Sequence, residues 1–327
     1  MLNLIIHGEI VSRTSYRSKR CYELKGKEPI YNAVANIKNI LINYSDVFEN
    51  IVISTWNCSK ETKKEIGILK NKYNFEILYL EMPSFEQKFF WKFNDSRYYQ
   101  NLQILSGLKY LKKLNNIDDS ITIKTRVDQF IDWKIILEQI NNNKKELNDK
   151  ILFPYVLTGE LFSLGDFFHA GNTNLLFKYY SNLFYQFNIP CGSKSNHVHQ
   201  SQKYIDLIEN ITNKSNSFTR FFIPIGSDLQ SKKRIPIDLN SLLFWRELVL
   251  KHFIISNKGW HSTSYWRDQP LNFVEEKMYM EDILDKDIYI KKMKIKWKRK
   301  ISKGNIFSSF IFGKLPIYSQ ENLKADL

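Results

Sequence analysis

Short hydrophobic segments rich in β-branched residues alternate with segments of helical periodicity through the first 130 residues. The hydrophobic segments predict strands over residues 2–11, 50–56, 75–80 and 120–125. Helices are predicted between them, over residues 30–44, from Ser59 to about Lys72, and from Asp95 and Ser96, which offer an N-cap. This βαβαβαβ order predicts an α/β fold whose mostly parallel central sheet carries helices on both faces.

Polar residues follow the predicted strands. In parallel sheets, ligands bind beyond the carboxyl ends of the strands, which meet at one edge. The residues at those ends are His7, Gly8 and Glu9, then Ser54, Thr55 and Trp56, then Glu81, and finally Arg126 and Asp128. We therefore expect these side chains to lie together around one crevice.

The second half of the chain is less regular. A strand is predicted over residues 151–157, and helices over residues 173–187, 202–211 and 241–253. Between the first two of these, Gly165 and Gly171 predict a tight backbone turn close to a ligand. Asp166 lies in that turn and is a candidate general base for an acceptor hydroxyl, or a ligand of a donor sugar. The alternative is a loop carboxylate that caps the following helix.

The chain of 327 residues is 43% hydrophobic, which is enough for one large core or two small ones. Its three cysteines, Cys21, Cys58 and Cys191, have no paired spacing, which indicates a reducing compartment. The N-terminus lacks the basic segment and cleavage site of a signal peptide, and no apolar stretch reaches the roughly 18 residues that span a bilayer. We expect a cytoplasmic protein that is soluble or peripheral at the inner face of the membrane.

The formal net charge of +14 is compatible with nucleic acid, an anionic membrane surface or phosphorylated substrates. Residues 291–303 contain eight lysines and arginines and no acid, and aromatic residues lie in and after this run. This basic aromatic tail, residues 286–327, fits contact with an anionic lipid surface, with a solvated charge run as the alternative. No recognised nucleic-acid motif accompanies it, so nucleic acid is not expected as a partner.

Arg126 and Asp128 directly follow the fourth predicted strand and lie on the same side of an extended chain. Asp128 is a candidate ligand of a divalent cation, Mn²⁺ or Mg²⁺, that bridges two phosphates, and Arg126 is a candidate direct phosphate ligand. The alternative is an ordinary strand end with a surface carboxylate. His197 and His199 have a metal-ligand spacing but no third ligand, and we interpret them as part of a polar loop.

The third predicted helix carries Arg97 and Asn101 on one face, near an N-terminus that attracts anions. That face is a candidate for nucleotide binding, with a plain N-cap and a solvated arginine as the alternative. Trp56 ends its strand at the expected crevice, where it would stack on a base or sugar or else belong to the core. The sequence contains no glycine-rich phosphate loop and no nucleophile elbow.

Four sequence pieces in this order resemble the WavE-type lipopolysaccharide-synthesis family. They are the strand ending at Gly8 and Ile10, the segment Ile53-Ser54-Thr55-Trp56, the helix with Arg97 and Gln100 that runs into Ser106-Gly107-Leu108, and the segment Ile123-Lys124-Thr125-Arg126-Val127-Asp128. The match covers roughly residues 4–128 and continues weakly from Gly165 to Gly171. It departs at His7-Gly8-Glu9, where the family has Gln-Gly-Pro, and near Gln200 and Gln202, where a glutamate is expected.

The resemblance implies a GT-A-like fold and a glycosyltransferase that moves a sugar from a nucleotide-sugar donor to a lipopolysaccharide or capsule-type surface glycan, free or lipid-linked. It implies a glycosyltransferase domain over residues 1–285, with a nucleotide-binding half (1–130) and an acceptor-side half (131–285). The expected catalytic residues are Asp128 and Asp166, with Asp128 also as metal ligand. The expected donor-binding residues are His7, Gly8, Thr55, Trp56, Arg97, Gln100, Asn101 and Arg126. Two alternatives are a nucleotidyl- or phosphotransferase with the same sheet and a non-catalytic membrane-associated scaffold.

Overall fold

The computed structural model describes residues 1–13, 21–22, 29–82, 96–114, 119–158, 163–186, 239–271 and 277–300. The predicted helix at 202–211, the loop with His197 and His199, Gln200 and Gln202, and the tail after residue 300 lie outside this part of the chain.

A seven-stranded sheet forms the centre of the molecule. Its strands are β1 (Leu2–His7), β5 (Asn50–Trp56), β6 (Glu76–Leu80), β7 (Ile121–Arg126), β9 (Ile151–Phe153), β11 (Phe168–Asn172) and β12 (Phe253–Ile255). They are ordered β12-β9-β11-β7-β1-β5-β6. Strand β11 is antiparallel to both of its neighbours, and every other adjacent pair is parallel. The expected α/β, GT-A-like class with a mostly parallel central sheet is therefore confirmed.

Smaller sheets and helices surround this sheet. The short strands are β2 (Val11–Arg13), β3 (Cys21–Tyr22), β4 (Ile30–Asn32), β8 (Gln129–Phe130), β10 (Val156–Leu157), β13 (Tyr265–Trp266), β14 (Gln269–Pro270) and β15 (Lys277–Met278). The helices are α1 (Val34–Tyr44), α2 (Lys60–Lys70), α3 (Ser96–Leu111), α4 (Trp133–Asn142), α5 (Thr173–Gln186), α6 (Leu239–His252), α7 (Met280–Leu284) and α8 (Lys286–Lys300). Short 3₁₀ turns cover Glu146–Asn148 and Trp260–Thr263.

Each face of the sheet has its own apolar core, because successive side chains of a strand point to opposite faces. Leu4 and Ile6 of β1 pack on the face covered by α1, α2 and α4. Ile5 packs on the opposite face, under α3, α5 and α6. Strands buried on both faces are rich in apolar and β-branched residues, which is why the sequence predicted β1 and β5 well, although β7 also buries Thr122, Lys124 and Thr125.

Three predicted elements differ from the structure. The strand predicted over residues 2–11 ends at His7, because Gly8 turns the chain before β2 begins. Residues 30–32 form a strand, and the first helix begins only at Val34. The turn predicted between Gly165 and Gly171 is largely strand β11, in the middle of the sheet.

The division of the chain at residue 285 stays a prediction. Helix α8 begins directly after it, and its Tyr289 and Met293 are fully buried in the core beneath α6. The Tyr289 hydroxyl donates to the backbone oxygen of Leu242 at 2.9 Å. Among the described residues, no helix is both long enough and apolar enough to cross a bilayer.

Candidate functional site

The carboxyl ends of β1, β5 and β7 lie side by side and bring three predicted site segments together. His7 is the register partner of both Ser54 on β5 and Arg126 on β7. Strand β11 starts beside the end of β7, where Phe168 pairs with Thr125, so Asp166 lies at the same edge. The structure therefore brings His7, Arg126 and Asp166 together at one end of the sheet, and a ligand crevice between them stays a prediction.

The backbone conformation of residue 8 and its close neighbour explain why this position is a glycine. Its φ of 133° lies in a region that side chains rarely adopt, and a Cβ there would lie 2.8 Å from Cγ2 of Val127. The Val127 amide donates to the His7 carbonyl at 2.8 Å. Glycine thus lets the end of β1 turn while the end of β7 stays close, and a contact with the donor nucleotide stays a prediction.

Asp128 is buried, and both of its carboxylate oxygens accept hydrogen bonds. Nε of Arg126 donates to Oδ1 at 2.9 Å, and Nη2 donates to Oδ2 at 3.0 Å. Nε of Arg267 and Nε1 of Trp266 also donate to Oδ2, at 2.8 and 3.0 Å. Burial by itself would raise the pKa of Asp128, but the two guanidinium groups and these hydrogen bonds outweigh it and lower the pKa to about 2. The alternative of a surface carboxylate is therefore excluded.

A hairpin formed by β13 and β14 supplies Trp266 and Arg267, which the sequence did not predict. Strand β13 pairs with β8, so that Trp266 lies opposite Gln129, one residue past Asp128. The Arg267 amide donates to the Asp128 carbonyl at 2.9 Å. The missed residues lie 138 and 139 positions beyond Asp128 in sequence, and only this strand pairing brings them to the site.

Two buried basic side chains, His7 and Lys124, lie beside Arg126 and Asp128. Burial, followed by the charges of Lys124 and Arg126, lowers the pKa of His7 well below its ordinary value. Within the part of the chain that the structure describes, neither ring nitrogen of His7 has a hydrogen-bond partner. Lys124 is 3% exposed, and its ammonium donates to the Asp166 carbonyl. Burial lowers the pKa of Lys124 to about 7, against the opposing effect of the Asp166 carboxylate.

Asp166 is half-buried, and its carboxylate affects the pKa values of Lys124, Arg126 and Tyr155. Gly165 makes this placement possible, since a Cβ there would lie 2.6 Å from the Tyr155 ring. Asp166 does not cap the following helix: a whole strand separates them, and Asn172 accepts from the first helical amides. The capping alternative is therefore excluded, and the catalytic role stays a prediction.

A cavity of about 410 Å³ lies on the other side of the His7-Gly8-Glu9 turn. Its lining includes Trp56, three carboxylates and two side-chain amides. The lining residues are Glu9, Ile10, Val11, Asn32, Trp56, Asn57, Cys58, Ser59, Glu61, Thr62 and Glu65. Trp56 is 7% exposed and meets Tyr99 of α3 edge-on, with ring centroids 5.9 Å apart. Trp56 thus belongs both to the core and to the cavity wall.

The remaining predicted donor-binding residues have different surroundings. Thr55 is fully buried on the face opposite His7, and its hydroxyl donates to the Trp56 carbonyl at 3.4 Å. It does not line the cavity. On α3, Gln100 is half-buried, and the Asn101 amide nitrogen is buried with no hydrogen-bond partner among the described residues. The side chain of Arg97 lies outside the described part of the structure, so its role stays a prediction.

The residues present do not fit a divalent cation held by Asp128. A carboxylate offers about four lone-pair sites, and Asp128 accepts four hydrogen bonds, three of them from two arginines. Within the described ranges, no group of three or more His, Cys, Asp or Glu side chains could hold a metal ion. The proposed chemistry therefore uses no metal ion on Asp128.

The chain is a mixed α/β protein with a mostly parallel central sheet, and His7 and Arg126 lie at the carboxyl ends of adjacent parallel strands. No protein-family model and no curated protein matches the chain. Among solved structures, it is similar to 4-diphosphocytidyl-2C-methyl-D-erythritol synthase from Anaerococcus prevotii, at 14% identity and a TM-score of 0.37, over 63% of this chain and 82% of that one. It is also similar to HddC from Yersinia pseudotuberculosis, at 12% identity and a TM-score of 0.31, over 54% and 78%. Such remote similarity assigns neither family nor activity, and the resemblance to the WavE-type family gains no support from it.

Proposed function

We propose that this chain is a glycosyltransferase that uses a nucleotide-sugar donor to extend a lipopolysaccharide or capsule-type surface glycan. One observation carries the proposal. A group of arginines and a cavity lined by a tryptophan, amides and carboxylates flank the same turn, His7-Gly8-Glu9, at the carboxyl edge of a parallel sheet. A nucleoside diphosphate has the matching polarity, with a neutral aromatic base and ribose at one end and phosphates at the other.

The cavity suits the nucleoside end of the donor. Its volume lies within the range of small-molecule sites. Glu9, Glu61 and Glu65 would repel phosphates but can accept hydrogen bonds from ribose hydroxyls, and Trp56 offers an aromatic surface. The phosphates would therefore point toward the arginines at the end of β7.

Glycosyl transfer at this edge would use Asp166. The acceptor oxygen attacks the anomeric carbon, the bond from that carbon to the diphosphate oxygen breaks, and the electron pair leaves with the nucleoside diphosphate. The acceptor proton passes to the Asp166 carboxylate. Arg126 would stabilise the negative charge that develops on the leaving group. His7, Gln100 and Asn101 lie on the elements around the same crevice and are proposed donor contacts.

The acceptor part of the proposal rests on the sequence resemblance. A glycan or lipid-linked glycan is the expected acceptor, and the basic tail would bring the enzyme to an anionic membrane surface.

Donor binding and product identity test the proposed activity. A panel of sugar nucleotides is screened for a rise in the melting midpoint, because a ligand at 100 times its Kd stabilises the native state by about 2.7 kcal/mol. The stabilising sugar nucleotide is then incubated with glycan acceptors, and the released nucleotide is identified. We expect a free nucleoside diphosphate, and we expect Asp166→Asn to slow transfer by roughly 10²–10⁴-fold while donor binding persists. Trp56→Ala should weaken donor binding.

Glu138→Gln on the exposed face of α4 is the matched control and should behave as wild type. Release of pyrophosphate would replace the proposal with nucleotidyl transfer. If no nucleotide stabilises the protein, the proposal fails and a non-catalytic scaffold becomes the better hypothesis.

A further inference from the structure

Asp128 shares its charge between two arginines. Oδ1 accepts from Nε of Arg126 at 2.9 Å, while Oδ2 accepts from Nη2 of Arg126, Nε of Arg267 and Nε1 of Trp266 within 3.0 Å. A divalent cation needs carboxylate oxygens at about 2.0–2.6 Å and would have to displace these donors while lying beside two positive charges. The contacts of Asp128 are those of a group that orders arginines.

Two guanidinium groups converge on one carboxylate at this edge of the sheet. Both arginine side chains are largely buried, at 21% and 14% exposure, and the Asp166 carboxylate also acts on Arg126. Paired guanidinium groups suit an anionic ligand, because each offers directed donors as well as charge. Arg126 binds Asp128 through Nε and Nη2, which leaves Nη1 available to a second anionic group.

Trp266 lies close to both guanidinium groups. Cζ of Arg126 lies 5.9 Å from the centre of the indole ring, and Cζ of Arg267 lies 5.4 Å from it. Both distances are within the range of cation–π attraction. The indole nitrogen is itself fixed on Asp128, so ring, carboxylate and arginines restrain one another.

The backbone that presents Arg267 is in an uncommon conformation. Arg267 and Asp268 form the two-residue loop between β13 and β14, with φ of 50° and 65°. Glycine and asparagine normally occupy such positions, because most other side chains crowd the backbone there. Conformations of this kind persist where the surrounding structure fixes them, and they cluster at ligand sites. Here the loop directs the Arg267 side chain onto Asp128.

We propose that Arg126 and Arg267 form a two-guanidinium cradle that binds the donor diphosphate without a divalent cation on Asp128, and that Asp128 is a positioning residue. The diphosphate as ligand rests on the proposed function, while the cradle itself rests on the contacts above. Phosphate recognition by paired arginines gives both charge and directed hydrogen bonds.

Binding of inorganic pyrophosphate and of UDP, measured by calorimetry in EDTA and again in Mg²⁺ or Mn²⁺, tests the cradle. We expect similar affinity in both conditions. Arg267→Gln should weaken binding about tenfold or more in both, and Arg267→Lys should not rescue it, because an ammonium lacks the planar fork. Asp128→Asn should weaken binding by a similar factor with and without metal, and its effect should not add to that of Arg267→Gln.

Lys70→Gln, which breaks an exposed ion pair with Glu76, is the matched control and should bind as wild type. Melting curves establish that each variant is folded. Binding that requires Mg²⁺ or Mn²⁺ and loses that requirement in Asp128→Asn would overturn the cradle, even if sugar transfer is observed. Binding in EDTA with no sugar transfer would keep the cradle and reject the glycosyltransferase. Absence of binding in every condition would reject both.

Discussion

At the scale of single residues, Lys124 is a cation on a central strand with almost no access to solvent. Its pKa is lowered to about 7 by burial, whereas a lysine in an unfolded chain titrates near 10.4. Between these values the unfolded state binds more protons than the native state, so stability rises with pH across this window. Below about pH 7 both states are protonated, and the cost of the buried charge is present in full.

Lys124→Met should remove this dependence. Relative to the variant, wild type should gain stability from pH 7 to pH 10, with a slope that approaches about 1.4 kcal/mol per pH unit. Urea unfolding at pH 6.5, 8 and 9.5 measures the difference. Lys109→Met, at an exposed position of α3, is the control and should follow the wild-type curve. Parallel curves for wild type and Lys124→Met would show that Lys124 is not the titrating group.

The sequence predicted only the contacts between site residues that are close together along the chain. Arg126 and Asp128 were expected on one side of a strand end, and they form a direct ion pair. Trp266 and Arg267 reach the Asp128 carboxylate only through the pairing of β8 with β13, which lie more than 130 residues apart in sequence. No periodicity of the chain encodes such a pairing, so the change of Asp128 from candidate metal ligand to arginine partner could not be predicted.

At the scale of elements, runs of hydrophobic and β-branched residues located β1, β5, β6 and β7, because such residues are typical of strands in a covered parallel sheet. The same rule failed for β11, whose sequence Phe-His-Ala-Gly-Asn is polar and contains glycine. Its polar groups are satisfied inside the fold: Nδ1 of His169 shares a hydrogen bond with the Tyr180 hydroxyl at 2.6 Å. The β13–β14 hairpin was missed because its loop, Arg267-Asp268, lacks the glycine or asparagine that usually signals such a turn.

Two helical glycines should respond in opposite directions to alanine. Gly107 of α3 faces β1, where a Cβ would lie 2.9 Å from Cγ2 of Ile5, while a Cβ at Gly67 of α2 would meet nothing within 4 Å. Alanine is about 1 kcal/mol better than glycine inside a helix. Gly67→Ala should therefore stabilise by about 0.5–1 kcal/mol, whereas overpacking at Gly107→Ala should cost about 1–2 kcal/mol net.

Chemical denaturation of the two alanine variants in parallel gives both signs in one experiment. Stabilisation of Gly107→Ala would mean that α3 and β1 can separate without cost, which would contradict the close approach of this helix to the sheet.

At the scale of the whole molecule, positive charge and two exposed apolar side chains occur together around α7 and α8. Leu284, the last residue of α7, is 58% exposed, and Ile288, in the first turn of α8, is 41% exposed. Helix α8 runs into the basic segment. We expect the protein to sediment with vesicles containing phosphatidylglycerol, more weakly with neutral vesicles, and less as salt increases.

A double variant tests this surface. Leu284→Ser with Ile288→Ser should reduce vesicle binding by roughly tenfold, since each loses a few tenths to about 1 kcal/mol of partial apolar burial. Ile42→Ser with Ile68→Ser, at exposed positions of α1 and α2, is the matched control and should bind as wild type. Equal binding to neutral and anionic vesicles would remove the electrostatic basis of the predicted membrane contact.

The antiparallel strand β11 also constrains the order in which the sheet is completed. Strands β6, β5, β1 and β7 all come from the first 126 residues and are contiguous in the sheet. Strand β9 is made before β11 but has no neighbour among those four, because β11 lies between β7 and β9. During synthesis, the growing chain therefore carries a four-stranded sheet with an open edge on β7 until residues 168–172 emerge. Arg126 ends this strand, so β7 must gain its β11 partner before the later β13–β14 hairpin adds Trp266 and Arg267 beyond its carboxyl end.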